Sequence, residues 1–167
     1  MATPTYTPIA TQTLGSAAAS ITFSSIPGTY TDLRLVVSNF LTTTSSQTLK
    51  IQFNGDTGTN YSCTYIYGAA AGGVSSGNQT SATSIGGFPP AYGTGGATPI
   101  VLEIDVMSYS GSTNKACLIK VAADNNGTGE VDLAIGLWRS TAAITSITIS
   151  VVSSNVNTGT IATLWGI

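Results

Sequence analysis

Ile100-Val101-Leu102-Glu103-Ile104-Asp105-Val106-Met107 is the stretch that decides the fold. Ile100, Leu102, Ile104 and Val106 fall on one side of an extended chain, and Val101, Glu103, Asp105 and Met107 on the other. Side chains of a strand alternate between two faces, so this spacing predicts a strand with one face on a core. The same period recurs on both sides of it. Leu33, Leu35 and Val37 alternate with Arg34 and Val36, and Leu49, Ile51 and Phe53 with Lys50 and Gln52. Val131, Leu133, Ile135 and Leu137 form an apolar face against Asp132, Ala134, Gly136 and Trp138. Ile147, Ile149 and Val151 make another, and Ile161, Thr163, Trp165 and Ile167 a last one.

No helix is predicted. Ala17 to Ala19 is too short to sustain one, and residues 140–143 read as a turn. Turn chemistry punctuates the chain at Pro27-Gly28, Asn54-Gly55-Asp56, Asn125-Asn126-Gly127 and Asn157-Thr158-Gly159. Eight or nine strands with regular turns predict an all-β protein, an antiparallel β-sandwich with jelly-roll-like topology. Residues 1–19, polar and carrying Pro4 and Pro8, read as an extended N-terminal arm, and residues 20–167 as a single sandwich domain. Within that domain, residues 68–98 are rich in Gly and Ser and contain Pro89-Pro90, and they read as a loop region.

Composition narrows the function. The chain has 167 residues, about one domain, and is long enough to bury a core. Charged residues make up 7% of it, against about 25% in an ordinary soluble domain. Thr at 27 positions and Ser at 20 supply hydroxyls where charges normally solvate a surface. Five basic residues at net charge −2 argue against nucleic acid as a partner, because phosphate neutralisation needs more cations. No window approaches 18 consecutive apolar residues, so no membrane-spanning helix is expected, and the first twenty residues lack the charge and apolar run of a secretory signal. Histidine is absent, which removes the commonest general base and the commonest neutral metal ligand.

The remaining chemistry is sparse. A nucleophilic Ser would need Lys50, Lys115 or Lys120 as its base, and no motif arranges one. Glu103 and Asp105 share a sheet face and could in principle act as a carboxylate pair, but they read better as part of a solvated strand. A calcium loop starting at Asp124 would need an acidic twelfth residue, and that position is Ile135; a hairpin turn is the better reading. Cys63 and Cys117 read as buried free thiols in preference to a disulfide. The expectation is therefore no enzyme, no cofactor and no metal. Tyr61, Tyr65 and Tyr67 lie on one face of a strand, a pattern that serves cross-strand packing, a protein interface or sugar stacking. A mean hydropathy of +0.28 with so few charges leaves an uncharged, partly apolar exterior, and burial against partners is the usual resolution. The arm residues Tyr6 and Ile9 and the aromatic positions Tyr65, Tyr67 and Trp138 are the candidate interface residues.

Five strings carry a resemblance: Tyr6-Thr7-Pro8-Ile9-Ala10; Ser20-Ile21-Thr22-Phe23-Ser24-Ser25-Ile26-Pro27; Phe53-Asn54-Gly55-Asp56 with Asn60-Tyr61-Ser62; Gly136-Leu137-Trp138-Arg139-Ser140; and Leu164-Trp165-Gly166-Ile167. With them the chain resembles small virion structural proteins of tailed double-stranded DNA bacteriophages, including cyanophages, over most of its length and least over 68–98. The resemblance implies a non-enzymatic structural role on the virion, displayed on the particle surface, and the expected location is the capsid surface. The leading expectation is a capsid cement or decoration protein that binds the outer shell and ties capsomers together. Its partners would be the major capsid protein and other copies of itself, as a trimer or dimer. The alternative is a tail-fibre or tail-tip module recognising host surface glycans through residues 68–98.

Overall fold

The alternating segments become strands in a computed structural model that describes residues 5–44, 47–69, 72–87, 98–124, 126–127 and 129–167. They are β1 (Thr7–Thr13), β2 (Ser20–Phe23), β3 (Leu33–Phe40), β4 (Leu49–Phe53), β5 (Tyr61–Ala69), β6 (Gly73–Ala82), β7 (Ile85–Gly86), β8 (Ile100–Val106), β9 (Lys115–Ala123), β10 (Glu130–Trp138), β11 (Ile147–Val151) and β12 (Ile161–Gly166). No helix occurs among the described residues. Every pairing between these strands is antiparallel. One sheet runs β1-β12-β3-β8-β9-β10-β5-β6 and the other β2-β11-β4-β7.

This order contains a jelly roll with an addition. With the hairpins β5–β6 and β9–β10 set aside, the remaining eight strands run β1-β12-β3-β8 and β2-β11-β4-β7. The chain then crosses between sheets at every step except β4 to β7, which is the connectivity of a two-sheet jelly roll. The two hairpins pair with each other through β10 and β5, and so extend the large sheet four strands beyond β8. The fold expected from the sequence is therefore present, and it carries a four-stranded extension.

The core forms where the inward faces of the two sheets meet. Leu33, Leu35 and Val37 of β3, Ile51 and Phe53 of β4, Ile104 and Val106 of β8 and Ile147 and Ile149 of β11 are all fully buried. Outside, hydroxyls do the work of charges. Thr11 and Thr163 share a hydrogen bond of 3.1 Å across β1 and β12, and Thr22 and Thr148 one of 3.0 Å across β2 and β11.

Four expectations need correction. Residues 7–13 of the expected arm are strand β1, paired with this chain's own β12 from Thr7↔Gly166 to Thr13↔Ile161. Their Thr-rich pattern, with Ile9 alone packed against the core, is that of an edge strand with one wet side, and Pro8 beside a register shift is an edge feature. The expected loop region contains β6 and β7; β6 is a Gly/Ser-rich strand at the end of the sheet order with no apolar alternation to announce it. Residues 70–71 and 88–97, including Pro89, Pro90 and Tyr92, lie outside the described residues. The other two corrections concern which face is inside. In β12 it is Ala162 and Leu164 that are buried, and Gly166 leaves room for the Tyr30 ring, while Ile161 faces out. In β10 the buried residues are Glu130, Asp132, Ala134, Gly136 and Trp138. Val131, Leu133 and Ile135 point outward.

Candidate interaction surface

Strand β10 is held in its orientation by what must fit against its inner side. Gly136 sits beneath Ile85 of β7, and a Cβ there would come within 2.6 Å of Ile85 Cγ2 and 2.9 Å of Cys117 Sγ. Two residues on, Trp138 packs with Phe53 and Tyr61 in an aromatic cluster, ring centroids 5.7 and 6.3 Å away. Its indole Nε1 donates to Asp56 Oδ2 at 2.7 Å. A one-residue slip would drive Leu137 into the space Gly136 leaves and strand the indole N–H, so the apolar residues of β10 stay outside.

The consequence is an apolar outer face on the extension. Val131 is 64% exposed, Leu133 47% and Ile135 49%. Ile66 of β5 lies directly opposite Leu133 and is 47% exposed. Leu118 of β9 lies opposite Ile135, and Leu118, Ile66, Leu133, Ile135 and Thr64 line a shallow depression there. Val101 of β8 continues the apolar surface toward the jelly roll. The outer face of the small sheet is built differently: Ser20, Thr22, Lys50, Gln52, Thr148 and Ser150 occupy its outward positions. One sandwich thus carries one wet exterior and one dry one.

Charges border the dry region in a self-neutralised cluster. Arg34 of β3 grips Asp105 of β8 with two hydrogen bonds, Nε to Oδ1 at 2.5 Å and an outer nitrogen to Oδ2 at 2.9 Å. That contact holds the Arg34 guanidinium above its ordinary range. Lys120 of β9 reaches Glu103 Oε2 at 3.1 Å and Asp105 Oδ2 at 3.7 Å. Glu103 and Asp105 are therefore ion-paired strand residues, and Asp105, 6% exposed, is buried, which corrects the solvated face expected for it. The Asp124 segment is a hairpin turn: Gly127 N donates to Asp124 Oδ1 at 2.8 Å, with Gly127 at φ 85°.

The candidate interface residues disperse. Tyr6 is 43% exposed just before β1, its ring 5.6 Å from the Arg34 guanidinium on the outer face of the large sheet. Ile9 is half-buried against the core. Tyr65 and Tyr67 stack at 6.4 Å on the inner side of β5, opposite in sense to Ile66, with the Tyr65 ring lying over Gly77. Trp138, at 3% exposure, is core and drops out as a surface residue. The apolar face is formed by Val131, Leu133 and Ile135, which the sequence period places in the core, and by Ile66, to which it gives no role. A signal for them existed: Gly136 and Trp138 share a face with the buried side of the strand, and Trp138 needs a hydrogen-bond acceptor.

Cys63 and Cys117 are free and buried on either side of Gly136, one on β5 and one on β9. Two strand spacings put their backbones about 10 Å apart, beyond the roughly 7 Å that a disulfide spans. Burial pushes the Cys63 thiol up to about 11 and the Cys117 thiol up to about 12. Both are inert thiols.

No protein-family model matches the chain. No curated protein matches it. Among solved structures it is similar to the Caenorhabditis elegans galectin LEC-6, at 12% identity over 90% of this chain and 91% of that one, with a TM-score of 0.33. That likeness is too weak to support any inference about function.

Proposed function

We propose that this protein is a virion structural component of a tailed bacteriophage, a capsid cement or decoration protein whose apolar outer face is buried against the shell or a neighbouring copy. The single observation that supports this reading is the exterior of the extension: Val131, Leu133, Ile135 and Ile66 stand about half exposed or more, side by side, in a chain with twelve charged residues. Covering the remaining half of each side chain is worth about 1 kcal/mol. Association costs on the order of 4–15 kcal/mol in lost freedom. Four such side chains therefore do not hold one copy alone, and the contact must be larger or shared among several copies. That is the situation of a protein that decorates a repeating lattice. There, binding stabilises the assembled shell by mass action. The charges near the face already pair with one another, so attachment is weakly dependent on salt.

The test is the number of copies per purified particle, with particles carrying the wild-type chain compared with those offered Leu133→Ser/Ile135→Ser. Hundreds of copies, lost in the variant without loss of fold, support the reading. A handful of copies at a tail tip, with binding of the isolated chain to host glycans, would replace it with the tail-fibre alternative.

A further inference from the structure

Strand β10 turns a second pair of residues inward that the apolar face does not use. Glu130 and Asp132, at positions i and i+2 on one side of the strand, are 7% and 1% exposed. Asp132 Oδ1 and Oδ2 and Glu130 Oε1 are all buried without a hydrogen-bond partner. As two carboxylates they have only acceptors to offer each other, and burying unpaired charge is among the costliest things a fold can do.

Among the described residues no cationic side chain pairs with them. Beside Glu130 lie Ala123 of β9 and Ala69 of β5; beside Asp132 lie Val121 of β9 and Tyr67 of β5. On this side of β5 the titratable groups are Tyr61, Cys63, Tyr65 and Tyr67, with Cys117 on the same side of β9, and β6 brings Gly73, Ser75, Gly77, Gln79 and Ala82 opposite β5's inward positions. Of β8, Leu102 is the neighbour of Val121 on this face. Asp124, in the turn after β9, is exposed and accepts from Gly127 N. The five side-chain cations are all placed elsewhere. Arg34 and Lys120 are paired on the opposite face of the sheet. Arg139 donates to Thr59 O at 2.7 Å. Lys115 is buried, its Nζ donating to Gly111 O at 2.7 Å and to Thr113 O. Lys50 belongs to the small sheet. Residues 88–97 contain no charged side chain.

We propose that Glu130 and Asp132 hold one proton between them in the folded protein, closing the extension with a carboxyl–carboxylate hydrogen bond that is lost when the proton leaves to solvent. A shared proton turns one carboxyl into a donor, pairs one oxygen of each residue and halves the buried charge. Asp132 is accordingly pushed up to about 8, by burial first and then by the charge and hydrogen bonding of Glu130. A carboxyl that binds its proton more tightly folded than unfolded stabilises fully below its unfolded value near 3.8. That contribution fades as pH rises through about 8. The device is independent of what covers the outer face.

The test is the pH dependence of unfolding in the full chain. One proton bound only by the folded state raises the unfolding constant about tenfold per pH unit between about pH 5 and 8. Asp132→Asn and Glu130→Gln, each supplying a permanent donor, should flatten that slope. Should either fail to fold, infrared spectra of the wild-type protein decide: a protonated-carboxyl band present at pH 7 and gone above pH 9 supports the proposal. A flat or rising stability across this range, or no such band at pH 7, overturns it. So does stabilisation by added calcium at pH 8.5, which would make the pair a cation site.

Discussion

Strands β8 and β10 have the same alternation and opposite orientations. In β8, Ile100, Leu102, Ile104 and Val106 are buried, and the polar face carries Glu103 outward. In β10 the branched apolar side chains are outward, and Ala134, Trp138 and two acidic residues are inside. The difference follows from position. Strand β8 belongs to the eight-stranded jelly roll, where a second sheet supplies large side chains to meet it. Strand β10 belongs to the extension, where the space beneath is already filled by Ile85 and the Phe53–Tyr61–Trp138 cluster. Alternation defines two faces; what lies opposite decides which one is the core. In the extension, the branched apolar residues are left on the outer face.

Substitutions can break this contrast, and the largest effect belongs to the jelly roll. Ile104→Ala should cost about 4 kcal/mol in urea unfolding, because the cavity lies between two full layers. Gly136→Ala comes next, at about 2–3 kcal/mol, since the added methyl meets Ile85 and Cys117 closer than van der Waals contact. If Gly136→Ala proves neutral, the orientation of β10 rests on something else. Asp56→Ala should cost about 2 kcal/mol by removing the acceptor of a buried indole N–H. It should also change the acid limb of stability. Hydrogen bonds from Trp138, then Asn60 and Gly58, hold the Asp56 carboxyl below its ordinary value of 3.8. Its contribution is therefore complete above that value and disappears as pH falls through the folded one, the opposite sign to Asp132. The smallest effect is expected for Ile135→Ala, within about 0.5 kcal/mol in the isolated chain. A loss there comparable to Ile104→Ala would mean the outer face of the extension is packed within the monomer.

The jelly roll was legible because its strands obey a local rule, and the extension was not because its residues answer to distant ones. Leu33, Leu49, Ile100 and Ile147 each begin a run whose larger side chains are the buried ones, so period and size agree. In β10 and β12 size misleads: Leu133 and Ile161 outweigh Ala134 and Ala162, yet the small residues are inside. Their reason for being small, Ile85 against Gly136 and Tyr30 against Gly166, comes from segments 51 and 136 positions away in the chain. Strand β1 is illegible for a related reason: an edge strand buries little, and Thr7 to Thr13, with Ile9 its one apolar contact to the core, looks like any polar arm. The Glu130–Asp132 pair carries no signal in the sequence because i, i+2 carboxylates on a strand usually face water, as Glu103 does.

Footprinting by cysteine substitution tests the central claim that the extension's outer face is covered in the assembled state. Ile135→Cys places a reporter on that face and Thr22→Cys one on the hydroxyl-coated face of the small sheet, against two buried native thiols that alkylate slowly. Both reporters should react readily in the dissociated chain. On intact particles, Ile135→Cys should be protected at least tenfold while Thr22→Cys keeps its rate. Equal reactivity of Ile135→Cys bound and free, or protection of Thr22→Cys alone, would contradict the account.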